Sequence, residues 1–430
     1  MPEYAVTSCG TCKIALLLVP PPIPDNALMK RSPDISYFAQ TNFRNDRRVF
    51  GIKQGDRLSH VYAIGKTGTG KTTFLETLAR GDIDAGRGFA LIDPHGDLAE
   101  RVAAYAGEVR PGDLVYLNVP DPAQPFGYNP LKRVPLDRVP LAVSGLMEAL
   151  KKHWSDAWGV RMEHVLRNVL FALLEHGHAK LDDVLRMLND KDYRQRIADA
   201  LANEPVRNFW KKEFEQYSWR YRADATAPIQ NKIGAFLADP TLRRILTEPK
   251  EMLRFRRLMD EGKIVVVNLA RGKIGDDSAA LLGSLLVTTI GLAAFSRADM
   301  PEAKRLPFFL YMDEFQTFTT LSIAGMISEL RKYRVGLVLA NQHLHQLDPD
   351  VAHAVLGNAG TLVSFRIGPH DAALLAREFA PRFDMLDLMN LPNHRIYLKL
   401  MIDGMPSQPF SATTLSPGGT KAIRKQSWNI

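Results

Sequence analysis

The sequence has very little cysteine: Cys9 and Cys12 are the only thiols among its 430 residues. This scarcity excludes a fold stapled by disulfides and is typical of a protein in a reducing cytoplasm. The Cys-x-x-Cys spacing suits zinc or redox chemistry, but a zinc site of this kind needs a second pair of Cys or His ligands. No such pair follows nearby in the sequence, so we interpret the two cysteines as incidental.

A long apolar run is also missing near the amino terminus. Residues 14–19 form a run of six, which ends at Pro20-Pro21-Pro22. A transmembrane helix needs about 20 apolar residues, and a secretory signal needs a longer apolar core without the acidic Glu3 before it. We therefore predict no intrinsic membrane anchor and a cytoplasmic location.

A strong excess of charge of either sign is absent as well. The chain has 55 Lys and Arg against 47 Asp and Glu, which gives a formal net charge of +8. This mild excess suits a polyanionic partner such as DNA without requiring one. Hydrophobic residues make up 46% and charged residues 24% of the chain, which excludes a wholly disordered or fibrous protein.

Short apolar runs bounded by turn residues indicate an α/β fold with a mostly parallel sheet. Such runs suit strands that are buried on both faces. They occupy residues 60–64, 88–92, 114–119, 264–269, 308–312, 335–339 and 361–365. Near the end, residues 396–402 and a second extended stretch to Thr414 flank Asp403-Gly404, which predicts a hairpin at the edge of the sheet.

A helical pattern separates two parts of this α/β core. Apolar side chains recur at spacings of three and four, for example at Val143, Leu146, Met147 and Leu150. We therefore predict a core made of residues 46–138 and 262–415, interrupted by an all-α insertion at 139–261. Residues 1–45 are expected to form an irregular arm and residues 416–430 a flexible tail.

The strongest motif is a glycine-rich segment between the predicted strand at 60–64 and a run of helix formers. It reads Gly65-Lys66-Thr67-Gly68-Thr69-Gly70-Lys71-Thr72. Glycines let the backbone curl so that its N–H groups point at phosphate oxygens; Lys71 then reaches the β- and γ-phosphates, and the Thr72 hydroxyl joins the Mg²⁺ shell. The strand and helix on either side disfavour an accidental turn. The segment, with Thr73 after it, predicts binding of ATP and Mg²⁺.

A second motif places two carboxylates after the uniformly apolar run 308–312. We expect Asp313 to hold Mg²⁺ and Glu314 to polarise the attacking water as a general base. A pair of solvated acids at a strand end is the simpler alternative. The adjacent Glu favours ATP hydrolysis over a slow GTP switch.

Three further features have both a functional and a structural interpretation. Gln342 follows the strand at 335–339 and can sense the γ-phosphate, or it can be an ordinary surface residue. Arg331 begins a basic cluster that can provide an arginine finger to a neighbouring subunit, or can be a solvated helix end. Asp93 begins the turn Asp93-Pro94-His95-Gly96-Asp97, which can face the nucleotide or simply cap a helix. His343 and His345 lack further metal ligands in register, which argues against a metal site.

Together these motifs resemble the HerA–FtsK superfamily, and within it the type IV secretion coupling proteins. The resemblance runs from about residue 50 to residue 410. It rests on the segments Gly-Lys-Thr-Gly-Thr-Gly-Lys-Thr, Ile-Asp-Pro-His-Gly-Asp, Tyr-Met-Asp-Glu-Phe-Gln and Arg-Lys-Tyr-Arg-Val-Gly-Leu-Val-Leu-Ala-Asn-Gln. It implies a RecA-like P-loop core in a hexameric ring that moves double- or single-stranded DNA through a central pore.

The resemblance also implies roles for individual residues. Arg331 lies eleven residues before Gln342, the spacing at which the family carries an arginine that acts across the subunit boundary. Arg366, at the end of the strand 361–365, matches a second basic residue near the phosphates. The helical insertion resembles the all-α domain at the DNA entrance of the conjugation members.

The chain departs from these relatives before the P-loop. Coupling proteins usually carry membrane helices there, and HerA-like translocases a small β-barrel, for which about 45 residues are too few. We expect neither here. Protein partners implied by the resemblance are a nuclease, a relaxase or secretion components.

These observations favour an ATP-driven DNA translocase. An ATP-gated assembly module that recruits protein partners without moving DNA is the alternative. A small-molecule kinase fits less well, because of the Asp313-Glu314 pair and the large helical insertion.

Overall fold

A computed structural model describes residues 34–43, 47–132 and 134–418 of the chain. The predictions for Cys9 and Cys12, for most of the arm 1–45 and for most of the tail 416–430 therefore fall outside the described residues.

The strands follow the apolar runs of the sequence closely. They are β1 (Ile35–Thr41), β2 (Val49–Lys53), β3 (Val61–Ile64), β4 (Gly88–Asp93), β5 (Leu114–Asn118), β6 (Phe126–Gly127), β7 (Glu251–Met252), β8 (Ile264–Asn268), β9 (Phe308–Met312), β10 (Val335–Asn341), β11 (Thr361–Ser364), β12 (Arg395–Lys399), β13 (Met401–Ile402), β14 (Met405–Pro406) and β15 (Phe410–Thr414).

The helices lie between these strands and in the predicted insertion. They are α1 (Gln54–Arg57), α2 (Lys71–Asp84), α3 (Asp97–Val109), α4 (Val139–His153), α5 (Val160–His176), α6 (Asp183–Asn189), α7 (Lys191–Ala200), α8 (Glu204–Asn208), α9 (Phe214–Gln216), α10 (Trp219–Ala238), α11 (Pro240–Thr247), α12 (Phe255–Asp260), α13 (Arg271–Ile274), α14 (Asp276–Ser296), α15 (Leu321–Glu329), α16 (Pro349–Asn358), α17 (Pro369–Phe379) and α18 (Met385–Met389).

One large sheet organises the described residues. Its eleven strands lie in the order β2-β1-β15-β12-β11-β3-β10-β9-β4-β8-β5. The seven from β11 to β5 are parallel to one another, and the pairings from β2 to β11 are antiparallel. Because the parallel strands point the same way, their carboxyl ends share one edge of the sheet. The predicted α/β class with a mostly parallel sheet is confirmed.

Side chains of the central strands alternate between two hydrophobic cores. Tyr62 and Ile64 of β3 pack into the core formed with the helical insertion and α14. Val61 and Ala63 pack into the core on the other face, with α2 and α3. Since successive residues of a strand point to opposite faces, a strand covered on both sides must be apolar throughout. The sheet is therefore a rigid middle layer that holds the strand ends in place.

The prediction of an irregular arm over residues 1–45 is wrong for residues 35–41. These residues form β1, which pairs antiparallel with β15 and with β2. The segment Ile-Ser-Tyr-Phe-Ala-Gln-Thr is rich in β-branched and aromatic residues, and Phe38 packs edge-on against Phe74 of α2. This strand forms because it pairs with β15, more than 370 residues away. The local sequence gives no indication of that partner.

The predicted hairpin near the carboxyl end exists, but it does not lie at the edge of the sheet. Strands β12 and β15 pair antiparallel, with Ile396 opposite Ala412. Strands β1 and β2 then extend the sheet beyond β15, so β2 is the edge strand on this side. The turn at Asp403 and Gly404 is held by the Asp56 carboxylate, which accepts both backbone N–H groups.

Residues 139–261 are almost entirely helical, as the sequence predicts, with α4 to α12 in succession. The exceptions include a π-helical turn at Phe209–Glu213 and the two-residue β7, which pairs with β6. The hydrophobic core of these helices is continuous with one face of the sheet. The insertion is thus attached to the α/β core through packed side chains as well as through the chain.

One helix among the described residues is long and apolar enough to cross a membrane by length and composition alone. It covers Asp276–Asp299, and 67% of its apolar window is buried inside the protein. Its main part, α14, packs against α4 and α12. These contacts make α14 a core helix of this fold.

A buried ion-pair network fastens α1 to α2 and β9. The Arg57 guanidinium donates to both Asp82 carboxylate oxygens, at 2.6 and 3.0 Å, and to the Tyr311 hydroxyl at 2.6 Å. Arg87 donates to the same carboxylate at 3.0 Å. Arg57 and Asp82 are fully buried, and the guanidinium also lies over the Phe309 ring at 3.8 Å. Removing one partner from such a network leaves an uncompensated buried charge.

We expect Arg57→Met to lower the free energy of unfolding by about 3 kcal/mol or more, because Asp82 loses its main partner. The matched control is Arg257→Met, which removes an exposed ion pair between α12 and Glu261, the residue after it, and should cost less than about 0.5 kcal/mol. Urea unfolding of the two variants measures the difference. Equal losses in both would contradict a stabilising role for the buried network.

Candidate nucleotide-binding and hydrolysis site

Three neighbouring strands bring the predicted site residues together at one edge of the sheet. In the parallel register, Ile64 of β3 lies opposite Asn341 of β10, and Leu339 of β10 lies opposite Met312 of β9. The glycine-rich segment follows β3, Gln342 follows β10, and Asp313 follows β9. The strand pairing therefore fixes the distance between the three motifs.

The loop of residues 65–70 has the backbone that its glycines were expected to provide. Gly68 and Gly70 adopt φ angles of 74° and 118°, which side chains with a Cβ rarely tolerate. Gly65 allows a close approach of the next strand, because an added Cβ would lie 2.5 Å from the Phe365 Cβ. Lys66, Thr67 and Gly68 form the exposed tip of the loop.

Thr69 of the motif and Thr73, the residue that follows the motif, form hydrogen bonds within the protein. The Thr69 hydroxyl donates to the Lys66 carbonyl at 2.7 Å, which closes the loop on itself. The Thr69 carbonyl accepts the His394 N–H at 2.8 Å, so the turn before β12 is hydrogen-bonded to the loop. Thr73 lies in the first turn of α2, where its carbonyl accepts the Thr77 hydroxyl. Sequence analysis did not identify His394 as a partner of the loop, because it lies more than 320 residues away.

Lys71 is buried at the start of α2, and its ammonium lies inside the loop. It donates to the carbonyls of Gly65 at 2.5 Å and Lys66 at 3.2 Å. Burial lowers the pKa of Lys71, while the charges of Glu314 and Asp313 act in the opposite direction. The three charged groups are therefore close enough to interact, as a single site requires.

Thr72 connects the loop directly to the carboxylate that follows β9. Its hydroxyl donates to Asp313 Oδ2 at 3.0 Å. Burial raises the pKa of Asp313 from 3.8 to about 6, and the charges of Glu314 and Asp93 add to the rise. A hydroxyl and a carboxylate are hard oxygen ligands, which Mg²⁺ prefers. A buried carboxylate whose ionisation is disfavoured is also one that a cation would stabilise.

Glu314 has an unusual backbone and a tightly held carboxylate. Its φ and ψ angles are 46° and 47°, in the left-handed region that non-glycine residues rarely adopt. Gln342 Nε2 donates to one carboxylate oxygen at 2.8 Å, and Gln316 Nε2 donates to the other at 2.6 Å. The turn aims Glu314 into the site, and two amides fix its orientation.

Gln342 also contacts the phosphate-binding loop. The Thr67 hydroxyl donates to Gln342 Oε1 at 3.0 Å, so a single amide connects the tip of the loop to the Glu314 carboxylate. The sequence predicted Gln342 from its place after a strand. Gln316 was missed, because no sequence pattern shows that a polar side chain two residues after Glu314 turns back toward it.

Asp93 is the neighbouring carboxylate at the same edge, at the end of β4. Its two oxygens accept the backbone N–H groups of His95 and Ala99, both at 2.9 Å. Asp93 therefore anchors the turn before α3, as the structural alternative had it, while its charge still raises the pKa of Asp313.

Arg366 follows β11 and lies beside the loop. Its carbonyl accepts the Lys66 N–H at 2.8 Å. Its guanidinium donates to the Leu391 carbonyl at 3.1 Å and to Asn393 Oδ1 at 3.0 Å. In this conformation the backbone of Arg366 supports the loop, and the side chain is engaged by the turn before β12.

Arg331 lies at the opposite end of β10 from Gln342. It belongs to a short 3-10 helix, Leu330–Tyr333, and is exposed. At about 3.3 Å per residue, the seven residues of β10 separate it from the site by roughly 20 Å or more. Arg331 therefore cannot reach a nucleotide bound at the glycine-rich loop of the same chain.

Helix α17 brings a third potential metal ligand to His343 and His345, which the sequence spacing had not indicated. Asp371 of α17 lies close to His343 and His345. Its oxygens accept the Leu344 N–H and pair with His343 Nδ1, both at 3.0 Å. Both oxygens thus have a partner in the protein, and the cluster anchors the loop after β10.

The buried charge of Asp313 should lower the stability of the protein. Between about pH 4 and pH 6, the unfolded chain has released this proton while the folded protein still binds it, so stability falls as the pH rises through that window. We expect Asp313→Asn to stabilise the protein at pH 7.5 by about 1 to 3 kcal/mol, since one pKa unit corresponds to about 1.4 kcal/mol. Denaturant unfolding measures this gain.

The same variant supplies its own control. At pH 3.5 the carboxyl group is mostly protonated in both states, so most of the difference between Asp313→Asn and the parent should disappear. A variant that is less stable than the parent at pH 7.5 would contradict the pKa assigned to Asp313.

Comparisons with known proteins agree with this geometry. Residues 50–380 match the family model for the type IV secretion-system coupling protein DNA-binding domain. No curated protein sequence matches the chain.

Solved structures show the same fold at low sequence identity. The plasmid coupling protein TrwB in complex with ADP and Mg²⁺ is 15% identical, with a TM-score of 0.62 over 89% of this chain and 95% of that one. TrwB with the GTP analogue GDPNP is also 15% identical, with a TM-score of 0.58 over 88% and 89%. VirB4 of Thermoanaerobacter pseudethanolicus is 14% identical, with a TM-score of 0.59 over 89% and 96%. The fold is the RecA-like P-loop fold of these proteins, and the chain belongs to the family of type IV secretion-system coupling protein DNA-binding domains.

Proposed function

We propose that this protein hydrolyses ATP and uses the energy to move DNA, as one subunit of a ring. One observation carries the proposal: the sheet brings Lys71, Thr72, Asp313, Glu314 and Gln342 together at one edge. Thr72 donates to Asp313, and Gln342 connects Glu314 to Thr67 of the loop. A phosphate-binding loop with a metal-ligating carboxylate and a general base is the set of groups that nucleotide hydrolysis needs.

Each residue has a defined task in this proposal. The loop N–H groups and Lys71 bind the phosphates, after Lys71 leaves the carbonyls that it contacts here. Thr72 and Asp313 hold Mg²⁺, which neutralises charge on the β- and γ-phosphates when bound. Glu314 accepts a proton from the attacking water. Gln342, which contacts both the loop and Glu314, senses whether the γ-phosphate is present.

The position of Arg331 is an argument for assembly into a ring. It is exposed, it lies far from its own site, and its side chain has no recorded hydrogen bond or ion pair among the described residues. An arginine in this position stabilises transition-state charge only if it enters the site of a neighbouring subunit. Subunits arranged head to tail would place each Arg331 at the next nucleotide, and a closed ring would complete every site.

DNA as the polymer is supported by the family and by the charge of the chain. The matching family is described as a DNA-binding domain of coupling proteins, and the net charge of +8 favours a polyanion. We place the protein in the cytoplasm, working with a nuclease, a relaxase or secretion components. The helical insertion, packed on the sheet, is the part that we propose meets DNA first.

DNA should accelerate ATP hydrolysis by the purified protein. Glu314→Gln should lower kcat by about 100-fold or more while ATP binding persists, because only the general base is lost. Lys71→Ala should weaken ATP binding by about 10- to 100-fold, as expected for loss of a charged hydrogen-bond donor. Steady-state rates with and without DNA, and binding of a fluorescent ATP analogue, measure these effects. An ATP hydrolysis rate that DNA does not change, across a range of salt concentrations, would contradict the motor proposal. It would favour the ATP-gated docking module instead.

Mixing experiments test whether Arg331 acts between subunits. Arg331→Ala and Glu314→Gln proteins should each be nearly inactive alone. Rings that contain both should regain activity, because a Glu314→Gln subunit still offers its Arg331 to an intact neighbouring site. Lys332→Ala, on the same exposed turn, is the matched control and should stay active alone. Mixed rings, verified by co-purification of two tags, that remain inactive would argue against the trans assignment.

A further inference from the structure

The segment after Glu314, residues 316–322, is tied to the helical insertion by polar contacts. Lys152 of α4 donates to the carbonyls of Gln316 at 2.8 Å and Thr317 at 3.2 Å. One turn earlier in α4, the Glu148 carboxylate accepts the Ser322 N–H at 2.5 Å. Both ends of the 316–322 segment are therefore held by the last two turns of one helix.

A third connection reaches the middle of the same segment through α14. His153 Nε2 lies 2.8 Å from the Ser284 hydroxyl, which donates to the Phe318 carbonyl at 3.2 Å. Burial lowers the pKa of His153 to about 4, and the charge of Lys152 adds to the effect. His153 is therefore uncharged at neutral pH and acts as a hydrogen-bonding group. α4 thus contacts the 316–322 segment directly at its start and end, and through Ser284 of α14 in its middle.

The Gln316 side chain connects the 316–322 segment to the Glu314 carboxylate. Its Nε2 group donates to Glu314 Oε2 at 2.6 Å. Its Oε1 atom is buried and has no hydrogen-bond partner among the described residues. Within the described part of the chain, no group therefore fixes the Oε1 end of this amide. The position of the Gln316 side chain depends on its own backbone, which Lys152 holds.

The Lys152 ammonium holds the backbone of Gln316 and Thr317 through two hydrogen bonds. Among the described residues it forms no ion pair, whereas its neighbour Lys151 approaches the Glu163 carboxylate at 3.9 Å. Partial enclosure by the protein lowers the pKa of Lys152 to about 8, although part of its surface stays open. Its ammonium is satisfied by the two carbonyls of the 316–322 segment.

The contact region borders a cavity of about 340 Å³ between α4 and the segments that follow β9 and β10. Lys151, Lys152, Gln316, Thr320 and Gln346 contribute to its lining. Beside this cavity, the Lys152 and Glu148 hydrogen bonds connect α4 to the 316–322 segment. The segment is therefore held to the insertion by polar contacts next to an open space.

We propose that Gln316 is a positioning residue for Glu314, and that Lys152 makes the orientation of Glu314 depend on the position of the helical insertion. This inference rests on the proposed function, because Glu314 must be the general base for its orientation to matter. A displacement of α4 moves the Gln316 backbone, and the amide then no longer holds Glu314. The insertion thereby gains control over the hydrolysis step without touching the nucleotide.

Steady-state kinetics of four variants test the proposal. Gln316→Ala should lower kcat about tenfold with KM changed by less than about twofold, because loss of one orienting hydrogen bond affects the chemical step and not ATP binding. Lys152→Met should lower kcat in the same way, and Lys152→Arg, which keeps the donors, should restore it. Lys151→Met is the matched control: it removes the adjacent lysine of the same cavity and should leave kcat unchanged.

A double variant separates positioning from an independent structural effect. If Lys152 acts through Gln316, Gln316→Ala combined with Lys152→Met should have the same kcat as Gln316→Ala alone. Independent effects would multiply instead, and would overturn the proposal. Thermal unfolding of each variant checks that the fold is intact; if Lys152→Met does not fold, Gln316→Glu, which replaces the donor by a carboxylate, must still lose activity.

The outcomes also distinguish this inference from the proposed function. If the parent protein has no ATPase activity, or if Glu314→Gln retains it, the proposed function itself fails. If the parent is active and Glu314→Gln is not, but Gln316→Ala hydrolyses ATP at the parent rate or faster, only the positioning role is refuted.

Discussion

The site depends on the parallel pairing of β3, β9 and β10. Three segments meet, the first of them more than 240 residues of chain before the other two, because their strands are neighbours, point the same way and end at the same edge of the sheet. Strands buried on both faces cannot shift register without exposing apolar side chains or burying polar ones. The hydrophobic effect that builds the sheet thus also sets the distance between the phosphate-binding loop and the Asp313-Glu314 pair.

The site itself opposes stability in several ways. Asp313 is buried with a raised pKa, Lys71 is buried with a lowered one, and Glu314 has a left-handed backbone. Strain and buried charge of this kind persist only where the surrounding structure holds them in place. Here the rigid sheet and the buried Arg57 network behind it do so. Both carboxylates are held beside the phosphate-binding loop by hydrogen bonds, which is the arrangement expected of a preorganised catalytic site.

Much of the fold was predictable from the sequence because buried parallel strands are short and uniformly apolar. The runs 308–312 and 335–339 needed no partner to be recognised, and the residues after them were the natural candidates for the site. Strand β1 was missed, since its pairing with β15 is set by distant residues. Gln316 and His394 were missed for a similar reason: their contacts depend on side-chain direction and on turns, which no local pattern encodes.

The central claim is that one Mg²⁺-bound triphosphate touches both the glycine-rich loop and the Asp313-Glu314 pair. A crystal structure with Mg²⁺ and a non-hydrolysable ATP analogue tests it most directly. Our account predicts the β- and γ-phosphates against Lys71, the metal beside Thr72 and Asp313, and Glu314 no more than one water molecule from the γ-phosphate. A triphosphate bound elsewhere on the sheet, or one that leaves Glu314 out of reach of the γ-phosphate, would contradict it.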